Sequence, residues 1–187
     1  MNKIYIVLFL ILTFIGINIK AETVIMETSK GSITINLDSE KAPITVENFL
    51  NYVDEGFYDD LIFHRVIKGF MIQGGGFDRL MMQKPTNDPI KNESKNGLRN
   101  EMYTIAMART NDPDSATSQF FINLEDNYFL DKNAGYCVFG KVIEGQETVK
   151  EIGNLSTHVS NGMGCLLYTS DAADEGLGVD LGGRRII

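Results

Sequence analysis

Residues 63–77 read FHRVIKGFMIQGGGF, and this mostly apolar, strand-like stretch carries the polar residues His64, Arg65 and Gln73. Taking such a polar group out of water without a hydrogen-bond partner costs about 2–7 kcal/mol. Each of the three side chains must therefore be solvated, paired or used in binding. The rest of the chain has to show which of these applies.

Side-chain alternation along a strand predicts which residues of this stretch share a surface. It places Phe63, Arg65 and Ile67 on one face of a first strand, and Met71 with Gln73 on one face of the next. If the two strands are neighbours, one surface combines a guanidinium, an amide and a methionine. Such a surface suits an apolar ligand that carries peptide carbonyl groups. The alternative is an ordinary surface arginine whose aliphatic stem covers its neighbours.

The remaining pattern is one of short strands and two helices. Residues 23–28 and 32–37 predict a hairpin, an amphipathic helix is predicted from Pro43, and a second short helix is predicted at 145–152. Residues 78–100 fit neither period and predict a loop. Further strands are predicted at 103–108, 119–123 and 136–142. The pattern is typical of a mainly β fold, a β-barrel capped by two α-helices.

Composition limits the classes of function that this chain can serve. Its 187 residues, 43% hydrophobic and 22% charged, suit one globular domain. A formal net charge of −8 without a basic run argues against a nucleic-acid partner. Cys137 and Cys165 are the only cysteines and His64 and His158 the only histidines, so no metal-ligand spacing is present. We expect neither a metal nor a cofactor.

The N-terminus predicts export from the cytoplasm. Lys3 precedes an apolar run at residues 4–17, and the small residue Ala21 follows, which is the pattern of a secretory signal peptide. We expect residues 1–21 to be removed and the protein to be periplasmic or secreted, with no membrane partner afterwards. The run is short for a bilayer span, and a retained membrane anchor is the alternative.

The C-terminal residues differ in sequence pattern from the rest of the chain. The segment CLLYTSDAADEGLGVDLGGRRII, residues 165–187, shows no clear amphipathic period and no turn chemistry that connects it to what precedes. It resembles a translated sequencing adapter. We therefore predict that residues 164–187 are a non-native tail and exclude them from functional reasoning.

Several segments together resemble a known family. The opening stretch is followed, in order, by TIAMARTNDPDSATSQFFIN, NYFLD and GYCVFGKVIEGQ. These segments resemble the motifs of the cyclophilin-type peptidyl-prolyl cis-trans isomerases, and most of all the periplasmic cyclophilins of Gram-negative bacteria. The resemblance runs from Glu22 to His158, and we expect the isomerase domain to occupy residues 22–163.

The resemblance implies a fold and the place of its binding site. The fold is a closed eight-stranded antiparallel β-barrel with a helix over each open end, and the proline pocket lies on the outer wall. In this family a last strand closes the barrel beside the first. That strand is predicted to be missing or replaced here, which leaves a strand edge open.

The resemblance also assigns site residues. Arg65 matches the family's catalytic arginine, and Gln73 matches its substrate-orienting glutamine. The apolar pocket for the proline ring is matched by Phe70, Met71, Phe121 and Leu130. Neighbouring substrate-binding positions are matched by His64, Ala108, Arg109, Phe129 and Tyr136. Among these, His64 is more typical of a structural histidine than of a base, and Arg109 stands where many relatives have asparagine.

The function implied is isomerisation of X–Pro peptide bonds, which assists protein folding. The partners would be proline-containing polypeptides, and we expect a monomer. Phe129 stands where many eukaryotic members have tryptophan, and the missing indole N–H predicts weak cyclosporin binding at most. Two alternatives stay open. One is a non-catalytic proline-peptide-binding chaperone or adaptor of the same fold, and the other is an unrelated extracytoplasmic β-barrel with its ligand inside.

Overall fold

The computed structural model describes residues 22–160, 163–167 and 178–180, with side chains described over 22–157. The predicted signal peptide, residues 1–21, and most of the predicted tail lie outside the described residues. Among the described residues, no helix is long and apolar enough to cross a membrane.

Short antiparallel strands dominate the described part of the chain. The strands are β1 Glu22–Thr28, β2 Gly31–Leu37, β3 Leu61–Ile62, β4 Arg65–Ile67, β5 Met71–Gly74, β6 Thr104–Met107, β7 Phe120–Asn123, β8 Val138–Glu144, β9 Thr157–Ser160, β10 Met163–Leu167 and β11 Gly178–Asp180. The helices are α1 Pro43–Asp54, the 3-10 helix η1 Tyr128–Asp131 and α2 Gln146–Gly153. The mainly β, antiparallel architecture with two α-helices is confirmed.

Nine of these strands form one curled sheet in the order β3-β11-β1-β2-β8-β6-β7-β5-β4, and β9 pairs with β10 in a separate hairpin. The two end strands, β3 and β4, are consecutive in the chain and are separated only by Phe63 and His64. The sheet is therefore curled, because its first and last strands are close neighbours in the chain. Strand β11 pairs with Glu27 and Thr28 of β1.

The outer edge of β1 is covered over only part of its length. In the part of the chain that the structure describes, residues 22–26 pair with β2 on one side and with no strand on the other. Unpaired N–H and C=O groups along a strand edge can accept another strand. The resemblance predicts an open strand edge at β1. Residues 22–26 form the part of that edge that the structure describes.

The first helix, α1, begins where the sequence predicts and is anchored from a distant loop. Pro43 stands at its first turn, where a missing N–H costs nothing. The preceding residue, Ala42, makes no side-chain cap. Instead, the Glu93 carboxylate accepts hydrogen bonds from the backbone N–H groups of Ile44 (3.2 Å) and Thr45 (2.8 Å). The loop that carries Glu93 is therefore fixed to the end of α1.

The inner face of the sheet is filled by large aromatic side chains. Phe120 is fully buried, and its ring centroid lies 5.8 Å from Phe49, 5.7 Å from Tyr58 and 6.4 Å from Phe63. All three contacts have the edge-to-face geometry that aromatic pairs favour. An internal ligand cavity, as the unrelated β-barrel alternative requires, would need this space to be open.

One element of the alternation prediction is wrong. Arg65 and Ile67 pair directly with Gln73 and Met71 across β4 and β5, as expected for one shared surface. Phe63, however, is only 1% exposed and belongs to the inner core. The cause is the break between β3 and β4, because Phe63 lies outside both strands and the two-residue period does not continue through it.

Candidate active site

Strand register assembles a second, smaller apolar cluster on the outer face of the sheet. Arg65 lies opposite Gln73, Gln73 opposite Phe121, and Phe121 opposite Ala106, so four neighbouring strands contribute one residue each. The buried members of this cluster are Met71, Ala106, Phe121 and Val138. Because alternate residues of the same strands fill the inner core, the sheet separates core from groove.

A groove with a cavity of about 110 Å³ lies over this cluster. It is lined by Arg65, Phe70, Met71, Gln73, Ala108, Arg109, Phe121, Leu130 and Tyr136. All nine are residues that the resemblance assigns to the site. Of the other two, Phe129 is 56% exposed and its ring stacks on Phe70 at a centroid distance of 5.6 Å. His64 does not line the groove, and only 4% of its surface is exposed.

Arg65 and Gln73 are joined by a chain of hydrogen bonds. The Arg65 Nη1 atom donates to Gln73 Oε1 at 3.4 Å, and Gln73 Nε2 donates to Gln119 Oε1 at 3.0 Å. This fixes which end of the Gln73 amide faces the arginine, and it leaves one amide N–H for a ligand. Sequence reasoning missed Gln119, although alternation along the predicted strand 119–123 places it on the same face as Phe121.

His64 lies in a buried environment that disfavours its charged form. Its ring lies 4.6 Å from the Phe77 ring, and its Nδ1 atom is buried without a hydrogen-bond partner. The pKa of His64 is lowered from 6.5 to about 4, mainly because burial disfavours the imidazolium and secondarily because Arg65 is positively charged.

The lowered pKa of His64 predicts an acid-sensitive component of stability. Between pH 6.5 and about 4 the unfolded chain binds a proton at this residue and the folded chain does not. The free energy of unfolding therefore falls as the pH drops through this window, by up to about 3 kcal/mol from this group. We expect His64→Gln to flatten this part of the pH profile, measured by urea unfolding of both proteins. If the free energies of unfolding of the two proteins fall in parallel with pH, His64 is not the group responsible for this component.

Arg109 bridges two walls of the groove. Its Nε and Nη2 atoms donate to the Gly135 carbonyl oxygen at 3.0 and 2.9 Å, and its Nη1 atom donates to the Thr110 carbonyl oxygen at 2.8 Å. Its guanidinium lies over the Tyr136 ring, 4.4 Å from the ring centroid. Tyr136 in turn contacts Phe121 edge-to-face, with a centroid distance of 5.7 Å.

A buried network of asparagines holds the other wall. Asn127 donates through Nδ2 to the Phe70 carbonyl oxygen and to Asn123 Oδ1, both at 2.8 Å. Asn123 donates to Asn100 Oδ1 at 3.1 Å, and Asn100 donates to Asp131 Oδ1 at 2.8 Å. Since Asn127 and Asp131 flank the segment that carries Phe129 and Leu130, the network positions this segment against Phe70. Sequence reasoning missed these residues because their partners are distant in the chain.

Two glycines allow the segment after β5 to approach the segment before β7 closely. Gly75 has φ +83°, and a Cβ atom there would lie 2.8 Å from the Ser118 carbonyl oxygen. A Cβ atom on Gly76 would lie 2.7 Å from the Gln119 side chain. Only glycine fits both positions without displacement.

Together, these contacts make the groove a preformed surface that suits a small apolar group next to a peptide amide.

Comparison with known proteins defines the class. The family model described as "Cyclophilin type peptidyl-prolyl cis-trans isomerase/CLD" matches residues 23–163. Peptidyl-prolyl cis-trans isomerase A of Dickeya dadantii (strain 3937) is 57% identical over 137 residues, covering 72% of each chain. Peptidyl-prolyl cis-trans isomerase B of Escherichia coli (strain K12) is 54% identical over 140 residues, covering 72% of this chain and 85% of the relative.

The fold agrees with the sequence comparison. A cyclophilin type peptidyl-prolyl cis-trans isomerase of Cryptosporidium parvum matches with a TM-score of 0.68 at 28% identity, covering 79% of this chain and 94% of the other. The chain belongs to the cyclophilin-type peptidyl-prolyl cis-trans isomerases.

Proposed function

We propose that the outer groove accelerates rotation about X–Pro bonds of proline-containing polypeptides, and that Arg65 and Gln73 are its catalytic residues. The observation that supports this proposal most directly is the half-buried Arg65 guanidinium, held beside the Gln73 amide at the edge of an apolar floor. The apolar side chains Phe70, Met71 and Phe121 would receive the proline ring.

The mechanism follows from the electronic change during rotation. The planar peptide bond has partial double-bond character and a rotation barrier of about 18–20 kcal/mol. In the twisted state the prolyl nitrogen loses conjugation and gains a lone pair. A guanidinium aimed at that nitrogen stabilises the twisted state more than the planar one, which is the condition for catalysis. Arginine suits this role because it remains protonated and its donors have a fixed geometry.

The other groove residues orient the substrate and exclude water from it. The free N–H of the Gln73 amide would donate to a substrate carbonyl oxygen and hold it while the bond turns. The proline ring of the substrate would be anchored by contacts with the apolar side chains of the groove floor. An apolar setting also favours the less polar twisted amide over the planar one. This mechanism requires no covalent intermediate.

The test is a protease-coupled assay on an X–Pro peptide, in which the protease cleaves only the trans form. Acceleration above the uncatalysed rate supports the proposal. Binding of the peptide without acceleration would instead select the adaptor alternative. Uncatalysed exchange takes tens to hundreds of seconds, so the two outcomes are readily separated.

We also propose that the protein acts outside the cytoplasm as a monomer. Support for export comes from Lys3 and the apolar run at residues 4–17. N-terminal sequencing of the fractionated protein tests the first point. A mature chain that begins near Glu22 agrees with it, whereas an intact N-terminus in the membrane fraction indicates a retained anchor. Analytical ultracentrifugation tests the second point.

Weak cyclosporin binding is proposed from the identity of Phe129. This side chain lies exposed at the groove rim and has no hydrogen-bond donor. Phe129→Trp adds an indole N–H, and one hydrogen bond contributes about 0.5–1.5 kcal/mol. We expect the variant to bind cyclosporin roughly 2- to 10-fold more tightly, measured by calorimetry. An unchanged affinity would show that the missing donor is not the cause.

A further inference from the structure

The groove is electrostatically unlike the rest of the protein. Its lining contains two guanidinium groups, those of Arg65 and Arg109, and no carboxylate, whereas the chain as a whole carries a formal net charge of −8. Neither guanidinium forms an ion pair with any side chain that the structure describes. By contrast, Arg99 lies on the Tyr128 ring at 3.7 Å and is paired with Asp131.

Arg109 is held in place by carbonyl groups, which leave its charge uncompensated. Three of its five N–H donors point to the carbonyl oxygens of Gly135 and Thr110. Two donors remain for a ligand. Because the stack on Tyr136 fixes the guanidinium plane, a ligand does not have to order this long side chain on binding.

The first acidic residues that follow Arg109 in the chain accept hydrogen bonds from backbone N–H groups. Asp112 Oδ1 accepts the backbone N–H of Asp114 at 3.0 Å, and Asp114 Oδ1 accepts the backbone N–H of Asn92 at 2.8 Å. The exposed Glu125 carboxylate lies near Gly69, which precedes the groove residue Phe70. None of these three carboxylates pairs with Arg109.

Arg109 lies one aromatic ring away from the floor of the proline pocket. Its guanidinium contacts Tyr136, and Tyr136 contacts Phe121. An extended peptide advances about 3.3 Å per residue, so a side chain one or two residues from the proline spans a comparable distance. Gln73 lies between Arg65 and Phe121 across the sheet, so Arg65 is at the other end of the pocket floor from Tyr136. A peptide seated in the pocket therefore passes close to both cations.

We infer that the groove selects X–Pro segments that carry a carboxylate side chain, aspartate or glutamate, within two residues of the proline, and that Arg109 determines this selectivity. The inference rests on the proposed function of the groove. The charge pair would be partly exposed, so its contribution to selectivity is modest. We expect kcat/KM for the best acidic peptide to exceed that of its lysine counterpart by about 3- to 10-fold.

The experiment uses peptides with one X–Pro bond in which each of the two positions before and after proline carries Asp, Ala or Lys. The measured quantity is the ratio of kcat/KM for the Asp peptide to that for the Lys peptide. We expect this ratio to collapse to about 1 in Arg109→Gln and to persist in Arg99→Gln. The second variant is a matched control, because Arg99 also stacks on a tyrosine but does not line the groove and is already paired with Asp131.

Each outcome of this experiment decides something. If the Ala peptides are accelerated but the ratio is about 1 at every position, the inference is wrong and the proposed function stands. A ratio that survives in Arg109→Gln would assign selectivity to another group. If no peptide is accelerated, the proposed function fails, and the inference fails with it.

Discussion

Arg65→Ala is expected to lower kcat/KM for an X–Pro peptide by roughly 10²- to 10³-fold, the usual effect of removing one donor that stabilises a transition state. The reason is that Arg65 is the cation beside the Gln73 amide over the apolar floor. Arg65 is half-buried on the outer face and does not belong to the inner core. The variant should therefore remain folded, which its circular dichroism and urea midpoint would confirm.

Two further variants sharpen this experiment. Arg79→Ala removes an exposed arginine outside the groove lining and should leave turnover unchanged. Arg65→Lys keeps the charge but loses the fixed planar donors, so we expect turnover between that of Arg65→Ala and wild type. Unchanged turnover in a folded Arg65→Ala protein would remove Arg65 from the mechanism.

Phe120→Ala is expected to lower the free energy of unfolding by about 3–5 kcal/mol. Phe120 is fully buried at the point where helix α1 meets the inner face of the sheet, and its ring contacts Phe49, Tyr58 and Phe63. Removing the ring loses the burial of its carbons and leaves a cavity that rigid aromatic neighbours cannot fill. Urea unfolding followed by circular dichroism measures the loss.

The matched control is the same substitution at an exposed phenylalanine. Phe129 is 56% exposed at the groove rim, so Phe129→Ala should change the free energy of unfolding by no more than about 1 kcal/mol. Equal losses in the two variants would contradict the assignment of Phe120 to the stabilising core.

The sequence predicted those parts of the fold in which one periodicity runs without interruption. Alternation in residues 32–37 and the Pro43 start of α1 led directly to the observed hairpin and helix. Alternation also placed Arg65 and Gln73 on one surface, where they pair across β4 and β5. The prediction was wrong at Phe63 because a strand break interrupts the period, and periodicity alone does not locate such breaks.

Residues that act through long-range contacts could not be predicted in this way. The hydrogen bonds from Asn127 to Phe70 and from Asn100 to Asp131 join positions 57 and 31 residues apart. No local pattern specifies such pairs, because the sheet register that brings them together depends on the whole fold. The apolar site residues, which are spread along much of the chain, were assigned by family resemblance for the same reason.

Strands β5 and β7 contribute residues both to the inner core and to the groove, and this limits which sequence changes the enzyme can tolerate. In these strands Ile72 and Ile122 pair within the inner core, while Gln73 and Phe121 pair on the groove side. A single-residue deletion in either strand would turn core residues toward solvent and groove residues inward, so stability and catalysis would be lost together. Substitutions can change one face at a time. Length changes should therefore be confined to exposed connecting segments such as residues 85–89, which lie apart from Glu93 and Asn100.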